Sequence, residues 1–165
     1  MSIIIKVTSG GPIIYKQKRI GLAGKEFDIY KFRTMYLDSE KNGPQWAIVG
    51  DQRITKFGKF LRVTRLDEIP QLLNFLFGDM SVVGPRPERP EFCSQLNKAM
   101  PFYNHRNLTR PGLTGWAQIR YKYGSSQLDA KIKLQYDLYY VQHMSLLLDI
   151  QIIIMTIPML MKGSR

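Results

Sequence analysis

The sequence predicts an α+β domain, mainly helical, with a small β-hairpin packed on several short helices. Three observations carry this expectation. Apolar and polar residues alternate over 13–19 and again over 27–32, around the glycine-containing turn "IGLAGKE". From Thr55 onward the apolar spacing lengthens to three and four residues. Two long helix candidates, over 126–144 and 144–161, close the chain.

The elements follow in order. "MSIIIKVTSGGP" is too short for a signal peptide or a membrane span, and "SIII" reads as the tail of a longer apolar segment. The hairpin comes next, and residues 38–53 ("DSEKNGPQ" and its flanks) are expected to form a mobile, turn-rich loop. "TKFGKFLRVT" reads as a short helix weakened by Gly58. Leu66, Ile69, Leu73 and Leu76 then mark the apolar face of another helix, with Asp67 as its N-cap, Pro70 in its first turn and Gly78 past its end. On that helix Asp67, Gln71 and Asn74 share the face opposite the leucines, so a polar wall should point away from the core. The prolines of "VVGPRPERP" demand extended chain. "EFCSQLNKAM" and "FYNHRNL" are short helices and "TRPGLTGW" a loop. "SQLDAKIKLQYDLYYVQHM" is a helix with Leu128, Ile132, Leu134, Leu138 and Val141 mostly on one side. The last helix is apolar except for a narrow stripe of Ser145, Asp149 and Thr156, which suits either a core helix or one lying in a membrane interface. No repeat, low-complexity segment or linker divides the chain, so residues 1–165 are expected to be one domain.

Composition narrows the chemistry. Lys and Arg number 24 against 13 Asp and Glu, a formal net charge of +11, which calls for an anionic partner: nucleic acid, a phosphorylated small molecule or an anionic membrane face. A hydrophobic fraction of 44% excludes a disordered basic tail. One cysteine, Cys93, leaves no intramolecular disulfide, and with only His105 and His143 beside it there is no zinc cluster. The basic residues are scattered around paired acids instead of forming an acid-free stripe, which argues against nucleic acid.

The paired acids are Asp67 and Glu68, in "RLDEIPQLLNFLFGDMSVVGPRPERPEF". Two adjacent carboxylates repel unless something neutralises them. The candidates are Arg62, Arg65, Arg86 and Arg89, or a divalent ion such as Mg²⁺, which takes one or two carboxylates plus phosphate oxygens. A carboxylate can also attack phosphorus, and basic neighbours would stabilise the charge that develops. On these residues alone an ordinary capped helix start is the commoner reading of "LDEIP".

Four blocks taken together decide between these. "GGPIIYKQKRIGLAGKEFDIYKFRTM", "RITKFGKFLRVTRLDEIPQLLNFLFGDMSVVGPRPERPEF", "LTRPGLTGWAQI" and "KLQYDLYYVQHMSLLLDI" occur in this order. The chain resembles the bacterial sugar transferase family, the catalytic domains of monotopic phosphoglycosyl transferases. "QWAIVGDQRIT" and "RYKYGSS" are most similar to its exopolysaccharide-type branch. The resemblance implies transfer of a sugar phosphate from a UDP-sugar to polyprenyl (undecaprenyl) phosphate, with release of UMP, as a first step of exopolysaccharide or glycan assembly. It implies that Asp67 is the nucleophile and that Glu68 and Asp67 hold Mg²⁺. It places Lys31, Arg33, Arg62, Arg86 and Arg110 at donor or phosphate contacts, and Asp137 as support for the arginine of the "PRP" turn; Gln71 is a further supporting candidate on the Asp67 face. Family members carry an N-terminal hydrophobic segment that enters the bilayer and returns. Residues 1–10 are therefore expected to be the remnant of an anchor, with residues 144–161 and other amphipathic helices on the membrane surface, at the cytoplasmic face of the inner membrane. Exposed apolar surface would also admit a homodimer. A catalytically idle remnant that binds a membrane or a partner is the alternative.

Overall fold

The computed structural model describes residues 1–41, 43, 50–121 and 126–161. Helix α1 (Ser2–Ser9) leads into strands β1 (Ile14–Ile20) and β2 (Glu26–Phe32), which pair antiparallel from Ile14–Phe32 to Ile20–Glu26. This is the expected hairpin. Of the loop expected over 38–53, residues 42 and 44–49 lie outside the described residues; its start is tied down, with Arg89 donating to both oxygens of Glu40 at 2.8 and 3.2 Å.

Helix α2 (Lys56–Val63) begins with Thr55, whose hydroxyl accepts from the Gly58 N–H at 2.9 Å. Gly58 has a positive reason to be there. A Cβ at this position would lie 2.0 Å from the Thr34 carbonyl oxygen, so only glycine lets α2 press against the end of β2.

The next helix differs from expectation in two ways. Residues Leu66–Gln71 form a 3₁₀ helix and only Leu72–Leu76 (α3) is α-helical. Asp67 is not the cap: Arg65 is, in the left-handed region at φ 59°, so the chain turns sharply there and Asp67 falls inside the first turn. The larger correction concerns direction. Asp67, Gln71 and Asn74 are buried, while Leu76 is 80% and Leu72 59% exposed, with Ile69, Leu73 and Phe77 exposed beside them. The polar wall faces inward because β2 offers it partners. The Asn74 amide donates to the Asp28 carbonyl at 2.7 Å and accepts from the Tyr30 N–H at 3.2 Å. A fully buried amide is tolerable only with such bonds.

Strand β3 (Ser81–Val83) pairs parallel with β4 (Gly112–Thr114), inside the stretch expected to be a loop. Period and propensity could not show it, since each strand is only three residues long. Close backbone approach is the signature: a Cβ on Gly112 would lie 2.1 Å from the Gly84 nitrogen. Helix α4 (Pro90–Ala99) starts with proline at its first position, and a 3₁₀ helix spans Tyr103–Leu108. Helix α5 (Trp116–Arg120) was not anticipated.

Helix α6 (Gln127–His143) opens with a capping box in which Ser126 and Asp129 each accept from the other's N–H. Its Leu134 is core, but Leu128, expected on the same face, is exposed. Phe92, Cys93, Leu96, Met100, Tyr103 and Leu134 form one cluster of the core; Val83, Ile119, Tyr140 and Ile152 form another.

Helix α7 (Leu146–Met161) repeats the inversion. Its polar stripe points into the protein: Asp149 accepts from the Tyr140 hydroxyl at 2.8 Å and Thr156 bonds Thr114 at 2.7 Å. Leu146 and Leu147 are each 78% exposed, with Ile150, Ile153, Ile154 and Ile157 exposed along the same helix. It is not a buried core helix. Among the described residues no helix is long and apolar enough to cross a membrane.

Candidate active site

The dyad is built where the 3₁₀ helix meets β2. The sharp turn at Arg65 aims residues 67 and 68 at the hairpin, and the strand alternation that buries Phe27 and Ile29 puts Lys31 on the same face. Lys31 Nζ lies 2.8 Å from Glu68 Oε1, and Arg86 Nη2 lies 3.7 Å from the same oxygen. Burial pushes the Glu68 carboxyl up, but Lys31 and Arg86, joined by Arg65, overrule it and hold it down at about 2. Burial also lowers the Lys31 ammonium, against the pull of Glu68.

Asp67 is different. It is buried, and among the described residues its carboxylate takes part in no hydrogen bond or ion pair. Burial is the largest influence on it and raises its pKa; Lys31, Arg62 and Arg65 pull it down and Glu68 pushes it up. The two acids are thus split into a locked anion and a more basic, uncommitted one. A carboxylate of that second kind is the better nucleophile.

Arg19, Lys31, Gln71, Arg86 and Pro87 line a small crevice beside the dyad, with Ile29, Met80 and Gly112. Three cations around one crevice suit a ligand of several negative charges. Arg62 is held by its Nε donating to Thr34 Oγ1 at 2.9 Å. The structure therefore brings together Asp67, Glu68, Lys31, Arg62, Arg86 and Gln71.

Four of the expected residues lie away from the dyad itself. Arg33 is buried elsewhere, donating to Ser9 Oγ of α1 at 2.9 Å. Arg89 serves Glu40 and Glu91, not the dyad. Arg110 is exposed on the segment leading into β4. Asp137 does not touch the Arg86 side chain: it pairs with Arg106 at 2.8 Å, and Arg106 donates to the Arg86 carbonyl at 2.7 Å. Arg19 and Arg106 are the residues that sequence reasoning missed. In "YKQKR" and "NHRN" they stand among other basic or polar residues, and no period distinguishes them.

A family model described as "Bacterial sugar transferase" matches residues 1–163. The chain belongs to the bacterial sugar transferase family. It is 44% identical over 162 residues to a UDP-N-acetylgalactosamine-undecaprenyl-phosphate N-acetylgalactosaminephosphotransferase of Aeromonas hydrophila, covering 98% of this chain and 38% of the relative. It is 43% identical to a UDP-glucose:undecaprenyl-phosphate glucose-1-phosphate transferase of Xanthomonas campestris pv. campestris, covering 92% of this chain and 32% of the relative. It is 39% identical to the exopolysaccharide production protein PSS of Rhizobium leguminosarum bv. phaseoli, covering 95% of this chain and 82% of that one. The chain spans about a third of the length of the first two relatives.

The candidate site fits a magnesium ion in one particular way. Both Asp67 oxygens and Glu68 Oε2 are unshared, while among the described residues no group of three or more acidic, His or Cys side chains is present. Such a site suits Mg²⁺ held by one or two carboxylates and completed by substrate phosphates and water.

The low Glu68 pKa has a measurable consequence. A carboxyl whose folded pKa lies below its unfolded value stabilises the fold above the unfolded pKa, and that stabilisation is lost as pH falls through the folded one. The window runs from the ordinary 4.5 down to about 2 and is worth on the order of 3 kcal/mol. Chemical denaturation between these pH values should show wild-type stability falling, and Glu68→Gln should remove that part of the slope.

Proposed function

We propose that the chain transfers a sugar-1-phosphate from a UDP-sugar to polyprenyl phosphate, through a covalent bond to Asp67. The observation that carries the reading is the split dyad: an uncommitted Asp67 beside a Glu68 locked by Lys31 and Arg86. In the first step Asp67 Oδ attacks the β-phosphorus. The bond from that phosphorus to the bridging oxygen breaks, and UMP leaves with the electron pair. In the second step an oxygen of the lipid phosphate attacks the same phosphorus, the phosphorus–Asp67 bond breaks, and the carboxylate is restored. Lys31 and Arg86 hold the diphosphate oxygens and stabilise charge as it builds. Arg62 balances the Asp67 charge in the resting state. Mg²⁺, bound by Glu68 and Asp67, would neutralise the diphosphate and the departing UMP.

The acceptor is a lipid, and the two inverted helices supply its approach. The exposed row of Ile69, Leu72, Leu73, Leu76 and Phe77 lies on the back of the helix that carries Asp67, and α7 adds a second apolar face. Polar-in, apolar-out helices are what a protein resting on a lipid surface requires. The proposed location is the cytoplasmic face of the inner membrane. Replacing Leu72 and Leu76 with Glu is expected to reduce binding to anionic vesicles by about 10-fold or more, since each side chain buries about 1.5–3 kcal/mol of apolar surface. Unchanged vesicle co-sedimentation would refute lipid contact at this face.

The transfer reading is tested by UMP release from UDP-sugars. Release should require Mg²⁺ and, for repeated turnover, polyprenyl phosphate. Sustained turnover in EDTA, or with no lipid phosphate present, would contradict it.

A further inference from the structure

The turn Pro85–Arg86–Pro87 cannot organise itself. Its two prolines have no N–H to donate, so the segment presents carbonyls that need partners from elsewhere. Four consecutive carbonyls find them, from three separate parts of the fold: β4, β1 and the 3₁₀ helix Tyr103–Leu108. Pro85 accepts from the Gly112 N–H of β4 at 3.0 Å, and Glu88 from the Ile20 N–H of β1 at 2.9 Å. Between these, the Pro87 carbonyl accepts from Arg19 Nη1 at 3.1 Å, and the Arg86 carbonyl accepts from Arg106 Nη2 at 2.7 Å.

Arg106 is itself fixed. It is buried, its Nη2 is 2.8 Å from Asp137 Oδ2, and its Nη1 donates to the Tyr103 hydroxyl at 2.7 Å. A forked guanidinium with three partners is held in one rotamer, which lysine cannot imitate. Arg106 does not line the crevice, and among its contacts the one that leads toward the dyad is the Arg86 carbonyl. The carbonyl it grips belongs to the residue whose side chain comes within 3.7 Å of Glu68.

We propose that Arg106, with Asp137 behind it, is a positioning residue: it grips the Arg86 carbonyl so that the Arg86 side chain meets Glu68 and the donor diphosphate. Arg19 secures the next carbonyl from the hairpin. The proposal rests on the transfer reading of the dyad.

The test is a double-mutant cycle on the full chain with lipid vesicles present, reading kcat and KM for the UDP-sugar together with thermal unfolding. The variants are Arg106→Lys and the paired replacement Arg106→Met with Asp137→Leu, which leaves no buried charge unpaired. Each is made alone and with Arg86→Ala. The expected result is a loss of about 10- to 100-fold in kcat on displacing Arg86. Once Arg86 is already Ala, the same changes should cost less than about 3-fold, because coupled residues do not add. Wild-type kcat in both Arg106 variants would overturn the proposal. So would losses that multiply with that of Arg86→Ala, or failure of both variants to fold, which would make Arg106 a folding residue. Absence of UMP release by the wild type is a separate outcome: it would sink the transfer reading and the role of Arg106 with it.

Discussion

Asp67→Asn should lower UMP release by about 10⁴-fold or more, the scale of losing a covalent nucleophile, without lowering the melting temperature. The second half of this expectation separates chemistry from folding. Asp67 is buried and its carboxyl is raised by that burial. A carboxyl whose folded pKa lies above its unfolded one costs stability wherever it is ionised, at pH above both values. Asn removes the charge and keeps the shape, so at pH 7 the variant should melt no lower than wild type, and the difference should shrink as the pH falls and the wild-type carboxyl takes up its proton. Asp67 also has no hydrogen bond among the described residues to lose. An Asn variant with wild-type turnover would remove residue 67 from the chemistry.

Lys31→Met should be the next most damaging change. Lys31 is the closest cation to Glu68 and the foremost positive charge acting on Asp67. Met keeps the length and the apolar stem but leaves Glu68 to Arg86, 3.7 Å away and half-exposed, and to the more distant field of Arg65. Two losses combine: a cation on the diphosphate, worth about 10²–10³-fold when a transition-state donor is removed, and the lock on Glu68, whose carboxyl should rise from about 2 toward its ordinary value. Lys31→Arg should recover only part of the rate, since a planar fork does not fit the place of a compact ammonium. Single-turnover kinetics on both variants would check this, and a Lys31→Met enzyme within a few-fold of wild type would show that the lysine is merely structural.

The hairpin was legible because β2 alternates beside a glycine-containing turn, and α6 because seventeen residues run without glycine or proline behind a Ser126 cap. The dyad stood out as a candidate because four sequence blocks occur together around its adjacent acids, not because the acids alone exclude an ordinary helix start. The direction of the 66–76 helix was not. Periodicity shows that leucines and polar residues occupy opposite faces, but not which face is inside. That choice was made by tertiary partners: the Asp28 carbonyl and Tyr30 N–H for Asn74, and Lys31 for Glu68. The same holds for α7, where Tyr140 and Thr114 capture the polar stripe. The short parallel pair β3–β4 escaped because three residues have no period. The partner of Asp137 escaped because the link to Arg86 runs through the backbone and a third residue, Arg106. Arg33 shows the reverse: a basic residue two positions from Lys31 looks equivalent in sequence, yet its Nη2 turns to Ser9 of α1, away from the dyad.

The most direct measurement is mass spectrometry of the protein quenched in acid after mixing with a UDP-sugar in the absence of polyprenyl phosphate. A stoichiometric burst of UMP should accompany a sugar-phosphate adduct on the peptide containing Asp67, absent from Asp67→Asn and discharged when lipid phosphate is added. A UMP burst with the adduct on another residue, or lipid-dependent product formation with no adduct at any time, would contradict the covalent role of Asp67.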